Sequence, residues 1–148
     1  MDELKKAMKI AFASEYAFAI KTQNFHWNVE GSNFPQYHDF FNTLYEDVSA
    51  TIDTIAEYIR ILGHYTPGSL SRYTELSIIQ DQLKIPRAEL MFAELLQDCE
   101  TMLQLVIAMF DEAANENQHG IENYMAELQD LYGKKAWFIR STLKRERE

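Results

Sequence analysis

Scarcity narrows this chain before any motif does. A single cysteine, Cys99, excludes an internal disulfide and fits a reducing compartment. Three prolines and five glycines in 148 residues leave few places for turns. That favours a few long helices over a sheet. No apolar run approaches the ~18 residues a membrane-spanning helix needs. The start, from Met1 to Lys5, has neither the basic residues nor the apolar stretch of a secretion signal, so the expected location is cytoplasmic. Positive charge is also short: 14 Lys and Arg stand against 23 Asp and Glu, a net −9. Such a surface repels nucleic acid and anionic membranes and attracts cations. Hydrophobic residues make up 47% of the chain, enough for one well-filled core, so residues 1–148 are expected to form a single domain.

The apolar residues repeat at helical spacing. Over residues 2–28, Met8, Ala11, Phe18 and Phe25 form one stripe, and Phe12, Tyr16, Ala19, Gln23 and His26 an adjacent one. Two stripes imply neighbours on two sides, as in a helical bundle. Gly31 marks a turn. A second helix is expected to start near Ser32 or Asn33, with Pro35 in its first turn, and to end at Gly63. Its stripe is Phe34, Tyr37, Phe41, Leu44, Val48, Ile52, Ile55, Ile59 and Leu62. The short connection makes an antiparallel hairpin. A long crossover follows, over residues 63–85. It holds a possible short helix over residues 71–79, capped by Ser71 or Ser69. The third long helix is expected from Pro86 to about Asn115, with Ala88, Phe92, Leu95, Cys99, Met102, Val106, Met109 and Ala113 inward. The fourth runs from about Ile121 to Leu143, with Tyr124, Leu128, Leu131, Trp137 and Phe138 inward. Residues 144–148 read as a frayed, charged end. Two hairpins joined by a long crossover give an all-α fold with ferritin-like connectivity, a four-helix bundle carrying an extra helix between helices two and three.

The chemistry concentrates in residues 24–57. Asp53 and Glu57, four apart on a helix, project from one face. His38 and Asn42 share that spacing. All four fall within a roughly 100° sector. Yet His38 and Asp53 are about 22 Å apart along the axis at ~1.5 Å per residue. A metal bonds N and O ligands at roughly 2.0–2.2 Å, so one ion cannot touch both ends of the helix. His26, late in the first helix, joins the His38 end. Two copies packed antiparallel about a two-fold axis would bring the histidines of one to the acids of the other. A mixed His and carboxylate set suits Fe, with Zn²⁺ or Mn²⁺ as substitutes. Each element has a plainer reading: a solvated acidic pair, or a hydrogen-bonded core histidine. Trp27 and Tyr45 flank the site as electron donors or, more simply, as core packing. Glu116 and His119 form a Glu-x-x-His pair, but in a turn and without a second copy, which argues against an intrasubunit di-iron site. Cys99 sits on an apolar stripe as inert core.

The segment NFHWNVEGSNFPQYHDFFNTLYEDVSATIDTIAEYIRILG resembles the signature of the Dps family, miniature ferritins named as DNA-protecting proteins of starved cells. His26-Trp27-Asn28, Asn33-Phe34, His38 and the Asp53-x-x-x-Glu57 pair carry the match. Glu75-Leu76-Ser77 and Trp137-Phe138 extend it. The resemblance implies a homo-oligomer, a hollow dodecameric shell. It implies ferroxidase sites at two-fold interfaces, with His26 and His38 of one subunit facing Asp53 and Glu57 of another. There Fe²⁺ is oxidised to Fe³⁺, preferentially by H2O2 rather than O2, and ferric oxide is stored inside, which protects against oxidative stress. It also implies acidic pores, for which Glu122, Glu127 and Asp130 are the local acids. The alternatives are a nucleoid-binding protein and a shell with a weakened metal site.

Two departures stand out. The family usually has a carboxylate where this chain has Asn42, and an amide oxygen is a weaker ligand for a hard cation. Asp39 and Glu46 are nearby but are expected to point elsewhere. Direct DNA binders of the family often carry a Lys-rich tail. This chain offers only Lys5, Lys6 and Lys9 near its start, and Glu146 and Glu148 dilute the basic residues near its end.

Overall fold

A computed structural model describes residues 2–144. Five helices and no strand occur among them: α1 (Asp2–Asn28), α2 (Phe34–Ile61), α3 (Leu70–Leu76), α4 (Ala88–Asn115) and α5 (His119–Leu143). This is the expected all-α bundle with one short helix in the crossover. α1 packs on α2, α4 and α3, and α4 packs on α5. Ion pair and hydrogen bonds tie α2 to α5: Lys135 Nζ lies 2.6 Å from Asp47, and the Tyr124 hydroxyl donates to the Thr51 carbonyl at 3.3 Å.

The helix ends follow from backbone chemistry. Gly63 takes φ +89 after the α2 cap. Its N–H donates to the Arg60 carbonyl at 2.9 Å, and that of His64 to Ile59 at 3.2 Å. This closes the last turn in the manner glycine permits. Asn117 does the same for α4 at φ 58, with Gln118 N–H donating to Ala113 at 2.8 Å. Asn tolerates the left-handed region better than most residues.

Some expectations are corrected in detail. α3 runs over Leu70–Leu76 and is capped by Ser69, whose hydroxyl accepts from the Arg72 N–H at 3.3 Å. Ile79, placed at its end, lies beyond it and is buried all the same. Pro86 precedes the Arg87 cap of α4 rather than sitting within the helix. α5 begins two residues early, at His119. Its buried face is Ile121, Met125, Leu128, Tyr132, Ala136 and Ile139. Leu128 was placed inward correctly, but Trp137 and Phe138 are 57% and 50% exposed. Residues 145–148, the rest of the expected frayed end, lie outside the described residues.

The core is otherwise the expected one. Phe41, Leu44, Val48, Ile55 and Ile59 of α2 are fully buried against Met8, Phe18 and Phe25 of α1. Phe34, the first residue of the expected α2 stripe, is 39% exposed. Its ring stacks on His38 instead, with centroids 5.0 Å apart. Packing therefore places the two ends of α2, and the chemistry on them, at opposite ends of one rigid rod.

Candidate metal centre

The histidine end is built by the α1–α2 turn. His26 is in the last turn of α1 and His38 in the second turn of α2. Their rings stack at 4.0 Å, only 17° from parallel. Each ring nitrogen Nδ1 meets the other residue's backbone carbonyl: His26 Nδ1 lies 2.8 Å from the His38 oxygen, and His38 Nδ1 2.7 Å from the His26 oxygen. A carbonyl can only accept, so both Nδ1 atoms carry a proton and donate it. In the neutral rings this leaves the lone pair on Nε2. That is the tautomer and orienting contact of a histidine that ligates metal through Nε2.

The acid end is on the exposed face of α2. Asp53 and Glu57 are both exposed. A hydrogen bond with Asp53, reinforced by that residue's negative charge, raises the Glu57 carboxyl above its ordinary range. Two carboxyls close enough to share a proton are close enough to share a cation. Asp53 also lines a groove of about 320 Å³ between α1 and α2, with Tyr16, Gln23, Tyr45 and Ser49 among its walls.

The two ends stay apart. α2 is one continuous helix from residue 34 to 61, so His38 and Asp53 keep the ~22 Å axial separation of fifteen helical residues. Among the described residues, no group of three or more His, Cys, Asp and Glu side chains within the chain could hold a metal. Each end alone supplies only two donors.

The neighbouring residues divide. Asn42 is half-buried, and its Nδ2 donates to Glu46 Oε1 at 3.1 Å. Glu46 was expected to point elsewhere; its four-residue spacing from Asn42 puts it on the same face. A carboxylate thus stands beside the amide. Tyr45 packs partly buried against the core, while Trp27, also expected there, is 64% exposed. Glu122 accepts from the His119 Nδ1 at 3.0 Å, and Glu127 and Asp130 are exposed on α5. His119 is thereby engaged with Glu122, three residues on.

Two buried polar groups were not singled out by the sequence. Glu15 is fully buried, with the Tyr132 hydroxyl 2.6 Å from its Oε2. Burial pushes its carboxyl up to about 7, against the hydrogen bonds of Thr51 and Tyr132. Its signal was there: it sits four residues after Ala11 and three before Phe18, on the apolar stripe. Lys21 is buried too, 2.8 Å from Asp98 and 3.1 Å from Glu94. Burial raises the Asp98 carboxyl despite that partner. Cys99 is the inert core residue expected, its thiol pushed up to about 12 by burial.

Fold and donor set together define a ferritin-like helical bundle, and comparison with known proteins agrees. The family model of the ferritin-like domain matches residues 5–148. The chain is 31% identical over 131 residues to an uncharacterised low-temperature-induced protein of Nostoc, covering 87% of this chain and 73% of that one. It is 31% identical over 123 residues to DNA protection during starvation protein 2 of Bacillus anthracis, covering 83% and 84%. Among solved structures, Dps from Staphylococcus aureus superposes with a TM-score of 0.95 at 29% identity, covering 99% of this chain and 98% of that one. The chain belongs to the ferritin-like family and, within it, to the Dps proteins.

Proposed function

We propose that the protein is a ferroxidase that oxidises Fe²⁺ at sites shared between two subunits and stores the ferric product inside an oligomeric shell. The observation that carries this reading is the split donor set. The α1–α2 turn holds two imidazoles with Nε2 lone pairs, and the far end of α2 holds two exposed carboxyls one helical turn apart. Neither half can close around an ion, and an antiparallel second copy supplies the missing half of each. Exposed Trp27, Leu70, Leu83 and Ile85 support burial of this face by another copy. A Dps relationship raises the dodecamer as the assembly and H2O2, rather than O2, as the oxidant.

In this reading His26 and His38 of one subunit, with Asp53 and Glu57 of the next, hold Fe²⁺ as substrate. Zn²⁺ and Mn²⁺ would compete for the same donors. Asn42, Trp27 and Tyr45 border the site. Glu122, Glu127 and Asp130 are proposed to attract Fe²⁺ at the start of α5. Oxidation of two Fe²⁺ by one H2O2, with two protons, gives two Fe³⁺ and two waters, so no hydroxyl radical escapes. Protection in a reducing, cytoplasmic setting is consistent with the lone Cys99. The named DNA-protection relatives raise duplex binding as a second role, but a net charge of −9 opposes it.

The test is stopped-flow oxidation of Fe²⁺ by H2O2 with Asp53→Ala combined with Glu57→Ala. Both side chains are exposed, so the fold should survive. The rate is expected to fall by more than the ~10–100-fold typical of losing an outer-shell partner. A wild-type rate would mean that these are not the ligands.

A further inference from the structure

Glu15 lies at the centre of the bundle, where α1, α2 and α5 meet, and has no part in the metal site. Three close oxygen–oxygen contacts surround it. The Tyr132 hydroxyl is 2.6 Å from Glu15 Oε2, Thr51 Oγ1 is 2.5 Å from the same oxygen, and Thr51 Oγ1 is also 2.7 Å from the Val48 carbonyl. Each such contact needs a proton between its oxygens. Tyr132 and Thr51 bring one each. The Val48 carbonyl brings none, and a Thr51 proton divided between two acceptors would make two longer contacts than these. The carboxyl group itself is the remaining source of a third proton.

We infer that Glu15 is held as a neutral carboxylic acid, and that its proton is the latch joining α1 to α2 and α5. In this arrangement the acid donates to Thr51, Thr51 donates to the Val48 carbonyl, and Tyr132 donates to the acid. Each contact is then filled. The other oxygen, Oε1, is buried and without a hydrogen-bond partner. A neutral carbonyl oxygen tolerates that far better than a carboxylate oxygen does. The titratable groups facing the site are the phenols of Tyr132 and Tyr124 from α5 and, behind Tyr132, the Cys99 thiol from α4. α2 presents Thr51 and a backbone carbonyl. Asp98 and Lys135 act one layer further out, on Cys99. No cation among the groups facing it rewards ionisation.

The latch sits between the halves of the metal centre. Thr51 is two residues before Asp53 on α2, and Glu15 is on the helix that carries His26. Deprotonation would loosen the hairpin that holds both halves. The direction follows from the folded carboxyl titrating at about 7 against its ordinary 4.5. Between those values the folded protein holds a proton that the unfolded chain has released. The latch therefore stabilises fully below the ordinary value and is lost as pH rises through the folded one.

Infrared difference spectroscopy of the assembled protein, wild type against Glu15→Gln, tests this. A carboxylic-acid C=O band is expected in the wild type at about pH 6, where ordinary carboxyls are ionised. It should vanish with a midpoint near 7 and be missing from the variant. Tyr132→Phe, which removes a donor favouring the ionised form, should move the midpoint upward and gives the answer if Glu15→Gln fails to fold. The wild-type unfolding constant should also rise relative to that of Glu15→Gln by about tenfold per pH unit between the two values. The absence of an acid band from the difference between wild type and Glu15→Gln at pH 6, or a Tyr132→Phe midpoint that stays or falls, would each overturn the inference.

Discussion

His26 and His38 hold each other: each imidazole donates its Nδ1 proton to the other's backbone carbonyl, at 2.8 and 2.7 Å, while the rings stack at 4.0 Å. One residue lies in the last turn of α1 and the other in the second turn of α2, so the turn between the helices and the tautomers of both rings are specified by the same contacts. The backbone of each residue thus orients the ring of the other, and under the proposed function both rings are ligands.

Alanine at either position keeps the backbone carbonyl that orients the remaining ring, so that ring still presents its Nε2. Zn²⁺ affinity, measured by calorimetry, should therefore fall in His26→Ala and in His38→Ala through the loss of one donor each, and fall further in the double variant. A single variant that loses as much as the double would show that the ring stacking, rather than the carbonyl contacts, positions the pair.

Asn42 has a different consequence. Two neighbouring metal ions need negative charge to offset their repulsion, and each carboxylate supplies a hard oxygen. Asn42 instead donates to Glu46. Asn42→Asp is expected to tighten the weaker of two Fe²⁺ or Zn²⁺ positions and to speed oxidation at limiting iron. Equal stoichiometry and affinity in calorimetric titrations of the two proteins would mean that Glu46 already supplies the charge, or that residue 42 is remote from the metals.

The buried Lys21–Asp98 pair gives a prediction about stability alone. Lys21→Met strands Asp98 in the core and should destabilise by about 3–5 kcal/mol. Adding Asp98→Leu should recover much of that loss, since the costly species is the unpaired buried charge rather than the missing pair. Denaturant midpoints of the three proteins decide it. A double variant weaker than the single would show that the ion pair stabilises in its own right.

Much of this was legible in the residues. Scarce glycine and proline, with apolar residues at spacings of three and four, were enough for four long helices. The acids at residues 53 and 57, set against histidines about four turns away, were enough to place the proposed ligands at opposite ends of one helix. What escaped was tertiary. Helical periodicity says that a residue lies on an apolar face but not what that face meets, so Trp137 and Phe138 were turned inward when they lie half-exposed on the bundle surface. The His26–His38 exchange depends on the conformation of a turn. Glu15 broke an apolar stripe in plain view, but only the positions of Thr51, Val48 and Tyr132 show what its carboxyl does there.

The division of the site between subunits is the central claim, and subunit mixing tests it most directly. One parent carries His26→Ala and His38→Ala, the other Asp53→Ala and Glu57→Ala. Neither retains a complete donor set, so both should oxidise Fe²⁺ slowly when assembled alone. In a two-fold pair with one subunit of each kind, the histidines of the second parent face the acids of the first, and one of the two sites is whole. Unfolded together and reassembled at equal amounts, the mixture should recover about a quarter of the wild-type rate, since about half the pairs are mixed and each has one intact site. Light scattering would establish that the mixture assembles like the wild type. Recovery near that value supports a site shared across the interface. A mixed assembly of wild-type size whose rate stays at the level of its parents would contradict it.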